Sequence, residues 1–332
     1  MKEHKFPYKW TLKDAVFTKD KGTVFSCFAC GGGSTMGYKL AGFDVLGCNE
    51  IDPKMIEAYK TNHNPKYAYL EPIQTFKLRK DLPKELYNLD ILDGSPPCSS
   101  FSMAGNREKD WGKEKKFREG QAEQVLDTLF FDFIDLAKEL QPKVVVAENV
   151  SGMMIGTAKE YVKKVYTEFK KAGYQLRIEP YLLDASKMGV PQRRKRVFFV
   201  ALRNDLSDNF MEQVDMFQVA PKLELNFNEP EICVKTFAEF EDKKETINYS
   251  EKRFGDVILN LNRAANTITS GVRFWLNDKQ ILKKACYNLI GSYPVDYKFN
   301  SDNVYMIGMS VPPVMTANIA TEIYQQWLSN CN

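Results

Sequence analysis

Thr23-Val24-Phe25-Ser26-Cys27-Phe28-Ala29-Cys30-Gly31-Gly32-Gly33-Ser34-Thr35-Met36-Gly37 begins as a short apolar run and ends in glycines. The run from Thr23 to Phe28 reads as a buried strand, and the glycines as a turn that opens a helix. Glycine at such a turn lets the backbone approach a ligand and lets the helix pack close to the strand. The next apolar run, Asp44 to Cys48, reads as a second strand. Glu50 ends it, nineteen residues after Gly31, within Asn49-Glu50-Ile51-Asp52. A carboxylate in that place can accept hydrogen bonds from both ribose hydroxyls of a nucleoside cofactor. The spacing of Gly31, Gly33 and Gly37 is looser than the dinucleotide fingerprint. It leaves a nicotinamide dinucleotide, S-adenosylmethionine and a cofactor-free turn open.

Outward from this unit, short apolar runs alternate with amphipathic helices up to about residue 202. Leu89–Leu92, Val144–Ala147 and Val197–Ala201 read as strands, the last two of the kind covered on both faces. Leu126, Leu129, Phe130, Phe133, Ala137 and Leu140 recur at helical spacing, as do Val162, Val165, Tyr166 and Phe169 before Gly173. The alternation predicts an α/β fold with a doubly wound, mostly parallel sheet and right-handed crossovers. After Leu202 the pattern changes. Residues 205–245 hold eleven acidic and four basic residues, whereas 246–300 hold eight basic and four acidic, with β-prone stretches. This predicts a smaller, irregular, β-rich domain over 204–299, and a main domain from 1–203 and 300–332. Pro312 to Leu328 returns to a helix with Met315, Ile319, Ile323 and Trp327 on one stripe.

Composition excludes several chemistries. Among 332 residues there are only two histidines, His4 and His63. His4 falls in a segment expected to fray, and His63 in the loop-like Asn62-His63-Asn64-Pro65. A Ser-His-Asp hydrolase, a multi-histidine zinc site or a histidine acid catalyst would need one of them, so cysteine, carboxylates and arginine are left to act, and no metal site is expected. Seven widely spaced cysteines, no signal-peptide pattern and no apolar run near 18 residues point to a soluble, reduced, cytoplasmic protein without membrane contact. Cys27 and Cys30 read as small apolar fillers at a strand end. The net charge of +3 does not name a partner.

Three further segments carry chemistry. Asp93-Gly94-Ser95-Pro96-Pro97-Cys98 places a cysteine beyond the carboxyl end of a strand, where open α/β sheets carry functional groups; Cys98 reads as a nucleophile or as a buried small residue. Ala147-Glu148-Asn149-Val150 places Glu148 in the same crevice if the two strands are neighbours. Partial burial there would raise its pKa toward that of a proton donor. Gln192-Arg193-Arg194-Lys195-Arg196 is a cationic run whose alternation turns Arg194 and Arg196 one way and Arg193 and Lys195 the other.

In order and spacing, the glycine turn, Glu50, Pro97-Cys98, Glu148-Asn149-Val150, Gln192-Arg193-Arg194-Lys195-Arg196, a variable segment and Gly308-Met309-Ser310-Val311-Pro312 resemble the DNA (cytosine-5) methyltransferases. The resemblance runs from about Thr23 to Leu328. It implies methyl transfer from S-adenosylmethionine to carbon 5 of a cytosine flipped out of a specific duplex DNA sequence, on the S-adenosylmethionine-dependent methyltransferase fold. It makes Cys98 the nucleophile that adds to carbon 6, Glu148 the group on ring nitrogen 3, and Arg194 and Arg196 the arginines that orient the base. Phe28, Gly31, Gly33, Glu50, Ile51, Ile73, Pro97 and Ser310 are the residues it assigns to the cofactor. Phe101 to Gly120 becomes a loop closing over the base. Residues 204–299 become a target-recognition domain, with Asn266-Thr267-Ile268-Thr269 as recognition element and Arg253, Arg263 and Arg273 as candidate readers. A monomer is expected, bacterial or phage-encoded, working beside a separately acting cognate restriction endonuclease or alone.

The chain departs from the family's pattern at Ser26, which replaces an aspartate, at Cys30, which replaces a glycine, at Pro72, which stands where an aspartate usually meets the adenine, and at Met309, which replaces an asparagine. Leu282-Lys283-Lys284-Ala285-Cys286 is the nearest match to the Leu-Thr-x-Arg-Glu element. The same chemistry on tRNA, or a catalytically weak DNA-binding relative, are the alternatives.

Overall fold

The apolar runs of the first two hundred residues become one eight-stranded sheet in the computed structural model, which describes residues 4–97, 114–115, 124–125, 128–155, 158–213, 218–242, 255–277, 279–300 and 302–331. The strands are β1 (Thr23–Cys27), β2 (Asp44–Glu50), β3 (Tyr67–Leu70) and β4 (Ile91–Gly94). After a separate two-stranded pair, β5 (Glu114–Lys115) and β6 (Gln124–Val125), come β7 (Val144–Val150), β8 (Tyr174–Gln175) and β9 (Tyr181–Asp184). The short β10 (Gln192–Arg193) precedes β11 (Lys195–Arg203). The order is β3-β2-β1-β4-β7-β11-β8, and β9 also pairs with β11. The five strands from β3 to β7 are parallel, as the alternation predicts. The Val197–Ala201 strand differs: β11 runs antiparallel to β7, β8 and β9. Only the short β8 and β9 with their connections lie between α5 (Ala158–Lys171) and β10, with no second crossover helix, so the chain returns in the opposite direction.

Helices cover both faces. α1 (Gly33–Leu40) and the later α9 (Pro313–Gln326) pack on one, over Val24, Ile91, Val146 and Phe198. α3 (Ile73–Phe76), α4 (Leu129–Leu140) and α5 cover the other, over Phe25, Leu92, Val145 and Phe199. Leu126 lies outside the described residues. Gly37 lets α1 touch α9: a Cβ there would lie 2.3 Å from the Pro313 carbonyl oxygen.

α2 (Pro53–His63) starts at Asp52, whose carboxylate accepts from the Lys54 and Met55 amides, and stops at Asn64, which turns to φ 44°. His63 therefore is not in a loop. It is the last residue of α2 and is buried, because Tyr59 and Tyr297 pack on its ring. Nor does His4 fray: its Nδ1 lies 2.7 Å from Glu229 Oε2, half-buried.

Beyond the turn α6 (Asn204–Ser207), β12 (Met211–Gln213) and β13 (Val219–Pro221) form a hairpin-like pair. β14 (Phe240–Asp242), β15 (Asp256–Ile258), β16 (Ala265–Asn266), β17 (Arg273–Trp275) and β18 (Gln280–Leu282) follow, four of them in a small sheet ordered β14-β18-β17-β15. β16 instead pairs with β10. α7 (Lys284–Ile290) and α8 (Asn303–Met309) lead into α9. A third apolar cluster joins this part to the first: Phe274, Tyr287, Tyr293 and Met306 pack with Met36 of α1 and Met55 of α2. No helix among the described residues is long and apolar enough to cross a membrane.

Candidate active site

The turn after β1 is tightly constrained. Phe28 and Cys30 take φ near +50° and Gly32 φ +90°, a region that L side chains enter only when their surroundings hold them there. The turn aims the Cys30 amide at Glu50, where it donates to Oε2 at 2.7 Å. The Ile51 and Asp52 amides donate to Oε1 at 2.8 and 2.9 Å. Burial pushes the Glu50 carboxyl pKa up, and the three amide donors oppose it. A carboxylate has about four acceptor positions. Three are taken, which leaves one on Oε2.

Glu50 lies in a small, partly open cavity. Phe28, Ile51 and Pro97, all singled out by the sequence, share it. Ser95 from the end of β4 joins them, as do Cys30, Asp52, Met55, Tyr305 and Met309. The Cys30 thiol lies 3.6 Å from the Met55 sulfur, and burial pushes its pKa up to about 12. Cys30 is thus a wall of this cavity, whereas Cys27, the last residue of β1, is buried in the core. Met55 and Tyr305 were invisible in the sequence: one depends on where α2 packs, the other on α8 arriving from the far end of the chain.

The other residues assigned to the cofactor do not line the cavity. Gly31 packs under Met306; a Cβ on Gly33 would lie 2.4 Å from the Val311 carbonyl oxygen; Ile73 is buried in the core; and Ser310 Oγ donates to the Met306 carbonyl. Pro72 precedes α3 and is also absent from the lining.

β4 and β7 are neighbours, with Gly94 opposite Ala147, so the chain leaves β4 beside Glu148, the next residue of β7. Cys98 and the Phe101–Gly120 stretch lie outside the described residues, apart from the backbone of β5. The approach to Cys98 is described: Asn149 Nδ2 donates to the Pro96 carbonyl at 3.0 Å, while Asn149 Oδ1 accepts from the Val150 amide. That anchoring role of Asn149 carries no spacing signal in the sequence.

Glu148 is buried, and Arg196 Nε donates to its Oε1 at 2.9 Å. Desolvation pulls the Arg196 pKa down and Glu148 pulls it back up. Arg194 is spent elsewhere. Its Nη1 donates to the Ile268 carbonyl at 3.2 Å and its Nη2 to the Gly308 carbonyl at 2.9 Å, fully inside the protein, where burial lowers its pKa to about 9. Around it the cationic run is sewn to the Asn266-Thr267-Ile268 stretch: Arg193 Nη2 donates to Asn266 Oδ1, Thr267 Oγ1 to the Arg193 carbonyl, and the Ile268 amide to Gln192 Oε1. Lys195 faces solvent. Arg273 forms a two-point pair with Asp256, Arg263 lies 3.9 Å from Glu231, and Arg253 is outside the described residues.

Residues 22–271 match the family model of C-5 cytosine-specific DNA methylases. The chain is 36% identical over 184 residues to the type II methyltransferase M.FnuDI of Fusobacterium nucleatum, covering 55% of this chain and 48% of that one. It is 33% identical over 187 residues to the type II methyltransferase M.NgoPII of Neisseria gonorrhoeae, covering 56% and 50%. The chain spans about half the length of these two relatives. In fold it is similar to the crystal structure of a mutant of Spodoptera frugiperda DNMT2, with a TM-score of 0.63 at 18% identity over 91% of this chain and 99% of that one. The S. pombe Dnmt2 methyltransferase follows, with a TM-score of 0.60 at 16% identity over 92% and 98%.

Proposed function

The chain belongs to the family of C-5 cytosine-specific DNA methylases, and on that premise we propose that it transfers a methyl group from S-adenosylmethionine to carbon 5 of a cytosine flipped out of duplex DNA. The observation that carries this reading is the shared cavity of Phe28, Glu50, Ile51 and Pro97, one strand away from the buried Glu148–Arg196 pair. The cavity suits the cofactor: Glu50 keeps one acceptor position for a hydroxyl, Phe28 and Ile51 offer apolar walls, and the sulfurs of Met55 and Met309 are polarisable. When bound, S-adenosylmethionine supplies an electrophilic methyl group.

The chain's residues make the cytosine able to take it. The Cys98 thiolate adds to carbon 6, and the electron pair of the carbon 5–carbon 6 double bond moves onto the ring. Glu148 in its acid form gives a proton to ring nitrogen 3, where that charge gathers, while Arg196 holds the carboxyl in place and faces the base. After carbon 5 has taken the methyl group and S-adenosylhomocysteine has been released, loss of the carbon 5 proton to solvent and departure of Cys98 as thiolate restore the double bond, and ring nitrogen 3 returns its proton to Glu148. Arg194 acts at one remove, as a clamp between β11, the recognition element and the end of α8. Residues 204–299 form the target-recognition domain in this reading, with 101–120 as the loop over the base. Double-stranded DNA is the partner, and a separately acting endonuclease is compatible with it.

Incubation with radiolabelled S-adenosylmethionine and duplex DNA tests the proposal. Label should enter DNA rather than tRNA, vanish in Cys98→Ser, and give a protein–DNA adduct on duplexes carrying 5-fluorocytosine. Full transfer by Cys98→Ser would overturn the mechanism, and transfer to tRNA alone would overturn the substrate. Bisulfite sequencing of DNA from an expressing host reads out the target word.

A further inference from the structure

β1 carries Ser26 at the position where its family's pattern has an aspartate, and the residue opposite Ser26 in the register of β1 and β4 is Asp93. Asp93 is buried, and three hydroxyls converge on it. Ser26 Oγ and Ser34 Oγ each donate to Oδ2 at 2.7 Å, and Tyr38 OH donates to Oδ1 at 3.2 Å. We propose that Asp93 is a positioning residue for cofactor binding, supplying from β4 the carboxylate that β1 lacks and fixing the turn that presents Cys30 and Phe28 to the cavity.

The donors sit on both sides of that turn. Ser26 is the next-to-last residue of β1, and Ser34 and Tyr38, four residues apart, lie on one face of α1. Between them run Phe28, Cys30 and Gly32 with positive φ, a conformation that survives only where its two ends are held. A hydroxyl has one proton to donate, and both serines direct theirs to the same carboxylate oxygen. Such charge-assisted bonds are about twice as strong as neutral ones. Asp93 does not line the cavity, so it acts through the turn and through the Cys30 amide on Glu50, not on the reacting atoms.

This inference rests on the proposed use of S-adenosylmethionine, and the experiment separates the two. Calorimetric titration of S-adenosylmethionine into the unaltered chain comes first; no binding there defeats the functional reading itself. With binding present, Asp93→Ser should weaken it roughly tenfold or more while leaving kcat at saturating cofactor within about threefold, a loss equivalent to about 1.4 kcal/mol. Ser26→Asp alone, which sets two carboxylates face to face, should also weaken it. The exchange Ser26→Asp/Asp93→Ser should recover most of the affinity. Asp93→Asn keeps the shape and provides a reading if Asp93→Ser does not fold; it should lose affinity in the same direction. Unaltered affinity in Asp93→Ser or Asp93→Asn, or a folded exchange variant that stays as weak as its parents, would overturn the assignment.

Discussion

Arg196 Nε stands 2.9 Å from Glu148 Oε1, on adjacent antiparallel strands, with both side chains largely withdrawn from solvent. The pair explains why a carboxyl can be held in this crevice at all. A lone buried carboxylate would be costly, whereas a guanidinium beside it offsets that cost and keeps one face of the carboxyl directed.

Removing one partner should therefore cost more than removing both. Arg196→Ala is expected to lower unfolding stability by about 3 kcal/mol, because it strands Glu148 without a counter-charge. Adding Glu148→Gln should restore part of that loss, while leaving methyl transfer abolished. Urea unfolding of the two single variants and the double variant measures the coupling. Equal destabilisation in Arg196→Ala and the double variant would mean that the pair contributes nothing beyond packing.

Asn149 is expected to matter for rate more than for fold. Its amide holds the Pro96 carbonyl, two residues before Cys98. Asn149→Ala removes two side-chain hydrogen bonds, one buried and one partly buried, a loss of about 1–3 kcal/mol in stability. A displaced nucleophile costs on the order of a hundredfold in rate. Asn149→Asp keeps an acceptor for the Val150 amide but cannot donate to Pro96, so it should be no better than alanine. Single-turnover methylation at saturating cofactor gives the comparison.

What could be read in advance and what could not follow the range of the interactions. Phe28, Glu50, Ile51 and Pro97 stand at strand ends, and a strand end in a parallel sheet is legible from the apolar run before it. The Glu148–Arg196 contact depends on β11 turning antiparallel, which no local pattern announces. Gly33 and Gly37 look like ligand glycines in sequence, yet they meet the backbone around Val311 and Pro313. Ile73 likewise is a core residue by packing. His63 is helical although Asn62-His63-Asn64-Pro65 looks like a loop, because the α2 cap falls at Asn64, two residues later than that loop allows.

Asp93 should leave a mark on the pH dependence of stability. Burial, its largest influence, pushes the carboxyl up from 3.8 to about 6; the hydroxyls of Ser26, Ser34 and Tyr38 pull it down, and Glu148 on the next strand pushes it up. Between pH 4 and 6 the folded state thus holds a proton that the unfolded state has released. Stability is expected to fall as pH rises through that window, by on the order of 3 kcal/mol from this group. Asp93→Asn should remove that component, so that its stability relative to the parent improves between pH 4.5 and pH 7. Denaturant unfolding at the two pH values reads the difference; a constant offset would contradict it. At pH 7 the ionised carboxylate is then a feature that lowers stability while ordering the cofactor turn, a trade common at functional sites.

Gly32 gives the sharpest test of how the turn is supported. Its φ is +90°, and a Cβ there would stand 2.1 Å from His63 Nε2 and 3.1 Å from Tyr297 OH. Tyr297 OH donates to the Gly31 carbonyl, so its oxygen accepts from His63 Nε2 at 2.9 Å, and the imidazole is neutral; burial drives its pKa well below 6.5. Gly32→Ala carries two penalties that can be separated. The left-handed backbone costs about 1–2 kcal/mol, and the collision with the imidazole adds to it. In a His63→Ala background the collision with the imidazole is gone, and the backbone cost and the tight Tyr297 contact remain. The Gly32→Ala penalty should therefore shrink by at least about 1 kcal/mol when His63 is alanine, a coupling expected of residues in direct contact. Strictly additive losses in thermal or urea unfolding would show that His63 does not buttress the turn.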